Sequence, residues 1–479
     1  MLSVKTGKKH FLIGMLFIMT IPFFIIGYFS SDGNIMCVSL LLAWLFLTLL
    51  NCSRKRLMVF AFCITFFAFL LGDIAVKQFD GTAFFSVSGK TIHAYLCLFL
   101  SLHFLNLGVL IGERRHIDFF SEDLIKDDQK KDIAINRIRD SARVLYVIFG
   151  CCQLATAIEK LALARILGSY TATYINFSSS LPGIIIKLAE MADIAFFIYL
   201  ATIPNPKKMK IVVSLKVLIG VVLLAYGMRS TIVMTLIIMT VYFILYEEMK
   251  GEKYSVIPRK AYIIVLILMP VLLTFLDFLM AYRDGRIYTM DNIWNSAKHM
   301  ITSLGGSVGV IESGYEYSGS IPHKIYSLGG IISFFKYNIF SRLLFGAKQY
   351  GGNTVEQALH GNSFSNTLTF IVNKDAFLRG FGMGSSYIAE VFHDFGYLGV
   401  CVINIIYGYI LTQFNKLHIN HVWKNTIMIM SSYYIIYAPR AYADSFISCF
   451  LNFSFILVMV LIWVITKSRW RGKEYCMPV

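Results

Sequence analysis

The sequence predicts an all-α polytopic membrane protein of about twelve transmembrane helices with one large extracytoplasmic loop. Three observations carry that prediction. Of the 479 residues, 57% are hydrophobic, and the mean hydropathy is +0.65. Charged residues make up 15%, where soluble domains carry about a quarter. The charges fall between apolar runs of roughly 17 to 22 residues, each long enough to cross a hydrocarbon core about 30 Å thick.

Twelve spans are expected, at 11–29, 35–50, 57–76, 92–112, 144–164, 182–203, 211–227, 231–246, 261–281, 386–412, 424–438 and 444–466. The first follows a basic start (Lys5, Lys8, Lys9) without a small-x-small cleavage site, and reads as a retained signal anchor. Basic residues then alternate between the two sides. Arg54-Lys55-Arg56, the segment 113–143, Lys207, Lys208 and Lys210, Lys250 to Lys260, Lys416 and the tail from Lys467 to Lys473 fall on one side. The short loops opposite hold only Lys77, Lys90, Arg165, Arg229 and Arg440. Cytoplasmic loops concentrate Lys and Arg, which puts both termini in the cytoplasm. The net charge of +16 therefore marks topology, and no nucleic-acid partner is expected.

Three parts follow. Residues 1–281 hold nine spans and the charge-mixed cytoplasmic linker 113–143. Residues 282–385 form the large loop, exempt from the charge rule by its length. Residues 386–479 hold the last three spans and a basic cytoplasmic tail. None of the nine Cys lies in the loop and no Cys-x-x-Cys occurs, so neither a disulfide framework nor a zinc cluster is expected. Within the loop, Ile331 to Leu344 has the composition of a helix lying in the membrane interface.

Outer loops so poor in basic residues make each remaining Arg informative. Arg229 (in Gly227-Met-Arg-Ser230), Arg283 and Arg286 after span nine, and Arg440 (in Pro439-Arg-Ala-Tyr-Ala-Asp444) share one face in this topology. Singly, each reads as snorkelling or pairing with acids such as Asp284 and Asp444. Together they suit a shared anionic ligand, because a guanidinium fork matches phosphate. Gly380, Gly382 and Gly384 alternate just before span ten, where backbone N–H groups and the helix dipole favour phosphate. Span ten then offers Glu390, His393 and Asp394 at i, i+3 and i+4, on one face. This is a set for acid–base work or for bundle stabilisation. One Glu-x-x-His does not make a carboxylate-bridged metal site, which uses the motif twice, so no metal is expected. Glu159, Lys160, Lys187, Glu190 and Asp193 read first as an ion-pair network between spans five and six. The sequence has no Gly-x-x-x-x-Gly-Lys-Ser/Thr and no Asp-x-Asp, so no nucleotide or metal cofactor is implied.

The stretch from Gly382 to Gly399 (GMGSSYIAEVFHDFGYLG) resembles the Gly-x-Gly-x-Ser…Glu…Phe-Gly-x-x-Gly stretch of the Wzy O-antigen polymerases. Gly227 to Ser230, Tyr282 with Arg283, and the single large outer loop late in the chain resemble the same family. The resemblance implies a metal-independent, integral-membrane (GT-C-like) glycosyltransferase in the bacterial cytoplasmic membrane. It would polymerise undecaprenyl-pyrophosphate-linked oligosaccharide repeat units, with lipid pyrophosphate as leaving group. A flippase and a chain-length regulator are the partners it suggests, beside the bilayer itself. Under it, Arg229, Arg283, Arg286, Arg440, Gly382 and Gly384 hold pyrophosphate. Glu390 is the first candidate base, with His393 and His360 behind it, and Asn362 and Asn366 bond sugar hydroxyls. The rival readings are an O-antigen ligase, chemically close, and a lipid-linked oligosaccharide flippase or other secondary transporter.

Overall fold

The computed structural model describes residues 2–81, 88–114, 128–167, 179–251, 259–283, 292–348 and 350–474. Among them the regular structure is helical. In chain order the helices are α1 (Leu2–Ser30), α2 (Gly33–Asn51), α3 (Leu57–Phe66), α4 (Gly72–Phe79), α5 (Gly89–Arg114), α6 (Asp128–Leu167), α7 (Gly183–Glu190) and α8 (Ala192–Ala201). Then come α9 (Pro206–Tyr226), α10 (Arg229–Lys250), α11 (Arg259–Arg283), α12 (Ile293–Gly305), α13 (Val308–Glu316), α14 (Gly329–Tyr337), α15 (Ile339–Phe345), α16 (Val355–His360), α17 (Phe364–Val372) and α18 (Lys374–Leu378). The chain closes with α19 (Tyr387–Gln413), α20 (Val422–Tyr437), α21 (Ser445–Ser448) and α22 (Phe453–Glu474).

Nine helical segments among the described residues are long and apolar enough to cross a membrane. The other three expected spans are helical as well. The run 182–203 is divided at Met191 into α7 and α8. The run 424–438 lies in α20, which has only 16 residues. The run 261–281 lies within α11, a single helix of 25 residues from Arg259 to Arg283 that accommodates Pro270.

The chain divides into two compact units. The first comprises residues 1–116, 291–415 and 434–448, and its centre is the crossing of α5 and α19. Small residues set that crossing. A Cβ on Gly108 would collide with the Ile405 carbonyl, and one on Gly408 with the Leu105 carbonyl. Close backbone approach of this kind is how helices associate in lipid. Polar groups in the contact are satisfied: Asn404 Nδ2 donates to Ser101 Oγ at 3.1 Å and Tyr387 OH donates to Asn404 Oδ1 at 2.7 Å. Gly108→Val is expected to cost about 1–3 kcal/mol by overpacking, read as a lower unfolding midpoint of the purified protein. An unchanged midpoint would mean that the crossing relaxes freely.

α19 itself is broken. Gly396 has φ +62° and ψ −157°, a conformation essentially reserved for glycine, so Tyr387–Phe395 and Tyr397–Gln413 are separate helical pieces. The large-loop residues 292–385 in this unit fold into α12 to α18. The expected interfacial helix is two helices, α14 and α15, parted at Asn338, whose Oδ1 caps Ser341 N at 2.8 Å. Phe335, Leu343, Leu344 and Phe345 are exposed there.

The second unit comprises residues 117–290, 416–433 and 449–479. α6, 40 residues long, is packed by α7, α8, α9 and α22. The expected ionic network is divided here. Lys187 pairs locally with Glu190 at 3.1 Å, and Glu159 accepts from the hydroxyls of Ser179 and Ser180. Asp193 reaches α6, accepting from Gln153 Nε2 at 3.3 Å, and pairs with Lys216 of α9 at 2.5 Å. Lys216 sat unnoticed in an apolar run because a single buried Lys leaves no periodic signal.

Candidate functional site

Several chemistry-bearing side chains of the first unit meet where the short helix Tyr387–Phe395 is wrapped by loop segments. The turn before it is shaped by glycine. Gly380 and Gly384 have φ of +92° and +83°, and Met383 N donates to Thr369 Oγ1 at 3.1 Å. That bond fixes the turn on α17 and leaves Gly382 on the surface. Ser385 and Ser386 then turn inward and are buried.

Glu390 is fully buried. Its Oε1 accepts from Ser385 Oγ at 2.5 Å and its Oε2 from Ala443 N at 2.9 Å. A buried carboxylate needs such partners, since an unpaired one costs several kcal/mol. The bond to Ala443 fastens the segment Ala441–Asp444 to the helix. The neighbouring Asp444 accepts from Ile331 N at 2.8 Å, at the first turn of α14. Asp394 accepts from Tyr326 N at 2.9 Å and Ser327 N at 2.7 Å. Two carboxylates thus hold the two ends of the stretch Tyr326–Ile331.

His393 lies in an aromatic nest, with Tyr326 edge-on at 5.3 Å, Phe364 at 5.8 Å and His323 stacked at 6.3 Å. Glu390, His393 and Asp394 therefore share a helix face but take different partners: Glu390 bonds Ser385 and Ala443, Asp394 bonds Tyr326 and Ser327, and His393 packs against Tyr326, Phe364 and His323. None takes another as its hydrogen-bond partner among the described contacts. Asp444 and Ser385 were not singled out as site residues by sequence reading. The signal for Ser385 was its place between the glycines and Glu390.

Arg440 ends a 3₁₀ turn, Ala438–Arg440, that packs against α19. Its Nη1 donates to Leu304 O at 3.3 Å and Ser307 Oγ at 3.5 Å, and its guanidinium lies 5.8 Å from the Phe69 ring. No ion pair to a carboxylate is formed by Arg440 among the described residues, so the expected local pairing with Asp444 is replaced by neutral acceptors. Those two bonds leave guanidinium donors over. The side chains of Arg229 and Arg283, and all of Arg286, lie outside the described residues.

The remaining candidates sit farther along the loop. His360 is exposed at the end of α16, beside Tyr350 at 5.7 Å, and its carbonyl accepts from Tyr337 OH at 3.4 Å. Lys324 Nζ donates to the carbonyls of Leu359 at 2.5 Å and Gly361 at 2.9 Å, pinning that turn. Burial holds the Lys324 ammonium below the ordinary lysine pKa, with Lys336 adding to the effect. Asn362 is half-buried, its backbone against Gly329, where a Cβ would collide. Asn366 is half-buried in the first turn of α17, its N–H donating to Ser363 Oγ. Glu390, Ser385 and the glycine turn thus belong to one short helix and its approach, and Arg440 lies three residues before the Ala443 N–H that Glu390 accepts from, while His360 bonds to a different part of the loop. Among the described residues no group of three or more His, Cys, Asp or Glu is placed to hold a metal ion.

A family model described as O-antigen polysaccharide polymerase Wzy matches residues 11–473, nearly the whole chain. No curated protein and no solved structure matches.

Proposed function

The chain belongs to the O-antigen polysaccharide polymerase family, and from that premise we propose how this multi-pass membrane glycosyltransferase works. The donor is a glycan on undecaprenyl pyrophosphate and the acceptor is an incoming lipid-linked repeat unit, both at the outer face of the cytoplasmic membrane. An acceptor hydroxyl attacks the anomeric carbon, the bond from that carbon to the phosphate oxygen breaks, and the pyrophosphate leaves with the electron pair. No metal is needed if Arg side chains neutralise that leaving group. Arg440 is the ligand we assign first, with Arg229, Arg283 and Arg286 as further candidates and the Gly382–Gly384 amides beside them. The acceptor proton passes to Ser385, whose hydroxyl gives its own to Glu390. His393 and His360 are the alternative bases, and Asn362 and Asn366 bond sugar hydroxyls.

The observation that carries this reading is the Ser385–Glu390 bond directly behind the glycine turn, in a chain of this family. The test is chain extension by purified protein supplied with lipid-pyrophosphate repeat units, with and without a chelator. Ladders of product that survive chelation are expected, and products limited to one unit would remove the polymerase mechanism. Transfer to a lipid A core acceptor in place of repeat units would favour the ligase reading.

The topology is tested separately. Reporter fusions at Lys126, Lys208 and Arg471 are expected to read cytoplasmic, and fusions at Gly319 and Asn362 extracytoplasmic. A cytoplasmic signal at Gly319 would move the large loop to the wrong side for this chemistry.

A further inference from the structure

The second unit contains a polar cavity of about 390 Å³ that glycosyl transfer does not use. Its walls come from the start of α6 (Asp132, Asn136, Arg139), the end of α8 with Thr202 and Ile203, the last residue of α10 (Lys250), and Asn420 before α20. The volume lies in the range of small-molecule sites.

Two features separate it from an incidental gap between helices. Among the described residues three non-glycine residues have positive φ: Ser31, Ile203 and Asn420. Two of the three border this one cavity, with φ of +53° at Ile203 and +67° at Asn420. Left-handed backbone is a true outlier for a β-branched residue. Such strain costs about 1–3 kcal/mol per residue and gathers at ligand clamps. The surroundings hold that backbone in place. Asn425, fully buried, donates from Nδ2 to Ala201 O at 3.0 Å and His418 O at 2.8 Å, joining the wall that ends at the strained Ile203 to the one that carries Asn420, a residue type that takes left-handed backbone readily.

The charge in the cavity indicates what it takes. Arg139 is fixed by donating from Nη2 to Thr202 O at 2.7 Å, from Nε to Thr202 Oγ1 at 3.2 Å and from Nη1 to Asn136 Oδ1 at 2.6 Å. These bonds use three of its five N–H donors and set the plane of the fork. Lys250 adds a second cation at the rim, against one carboxylate, Asp132, among the described lining residues. A preset guanidinium with spare donors, a mobile ammonium and asparagine amides suit a phosphate group.

We propose that this cavity is a binding site for a net-anionic phosphate group, carried by a lipid headgroup or by a soluble phosphate ester. It lies apart from Arg229, a candidate ligand of the glycosyl-transfer reading. α10 runs from Arg229 to Lys250, about 30 Å at helical rise. The cavity is thus at the end of α10 opposite Arg229, and on the proposed topology it opens to the cytoplasmic side.

The test uses the purified full-length chain in detergent, reading the thermal unfolding midpoint. Inorganic phosphate at matched ionic strength is one arm, and mixed micelles with phosphatidylglycerol or phosphatidylcholine are the other. Saturating ligand is expected to raise the midpoint by about 3 °C or more. Lys250→Gln, which removes an exposed charge without disturbing a buried contact, is expected to lose at least half of that rise, and Arg139→Gln all of it. A rise with phosphatidylglycerol alone assigns a headgroup, and a rise with inorganic phosphate assigns a soluble ester. No rise in either arm, or a rise that Lys250→Gln keeps in full, overturns the proposal.

Discussion

Glu390→Gln is expected to lower chain extension by roughly a hundredfold or more, the range general-base removal produces. Protein level and unfolding midpoint should stay near wild type. The substitution keeps the side chain's shape, and the amide oxygen can still accept from Ala443 N, so the anchor on the Ala441–Asp444 segment survives. What is lost is the ability to take a proton from Ser385. Ser385→Ala should then fall to a similar rate, and the double variant should be little worse than either single one, because groups acting as one unit lose their effect once. The measurement is initial rate with lipid-pyrophosphate repeat units. Extension near wild type by Glu390→Gln would leave the carboxylate as a fastening for Ala443 and send the search for a base to His393 and His360.

Arg440→Lys is the second large effect, about a hundredfold to a thousandfold on the rate, the size expected for one donor to developing charge. Lysine keeps the positive charge, so a purely electrostatic role would be largely retained. The guanidinium, however, already donates to Leu304 O and Ser307 Oγ and lies near Phe69, and only a multi-donor fork can do this while also facing a phosphate. Loss of rate with an unchanged unfolding midpoint would fit pyrophosphate binding. Loss of both together would reduce Arg440 to a brace between the 3₁₀ turn and α12. The corresponding Lys variants of Arg229 and Arg283 should show smaller additional losses when combined with Arg440→Lys than alone.

The membrane class was legible because it needs only composition and run length, and both survive any detail of packing. The candidate site was legible as a neighbourhood only where its residues are close in sequence: Gly382, Gly384 and Glu390 fall within nine positions of one another. Its other half was not. The bond from Asp444 to Ile331 N spans 113 positions and that from Asp394 to Tyr326 N spans 68, and no local pattern reports such pairings. Helix breaks were equally hidden. Met191 carries neither Gly nor Pro, and Gly396 sits in a run where glycine is also compatible with a straight helix. Asp394, two residues before Gly396, is committed to the loop amides, and the chain reverses φ beyond it to rejoin the bundle.

The break at Gly396 decouples two rotational phases. In an unbroken helix each added residue turns everything beyond it by about 100°, so a loop could not be remodelled without spoiling the contact at Gly408. Here Tyr387 to Val391 are buried on every side, whereas beyond the break Leu398, Val402 and Ile406 are exposed while Val400, Asn404 and Tyr407 are buried. The upstream piece takes its azimuth from Tyr326, Ser327 and Ala443, and the downstream piece takes its own from α5. A single glycine thus acts as a swivel, letting the loop segments change in length and sequence while the membrane bundle keeps its registration.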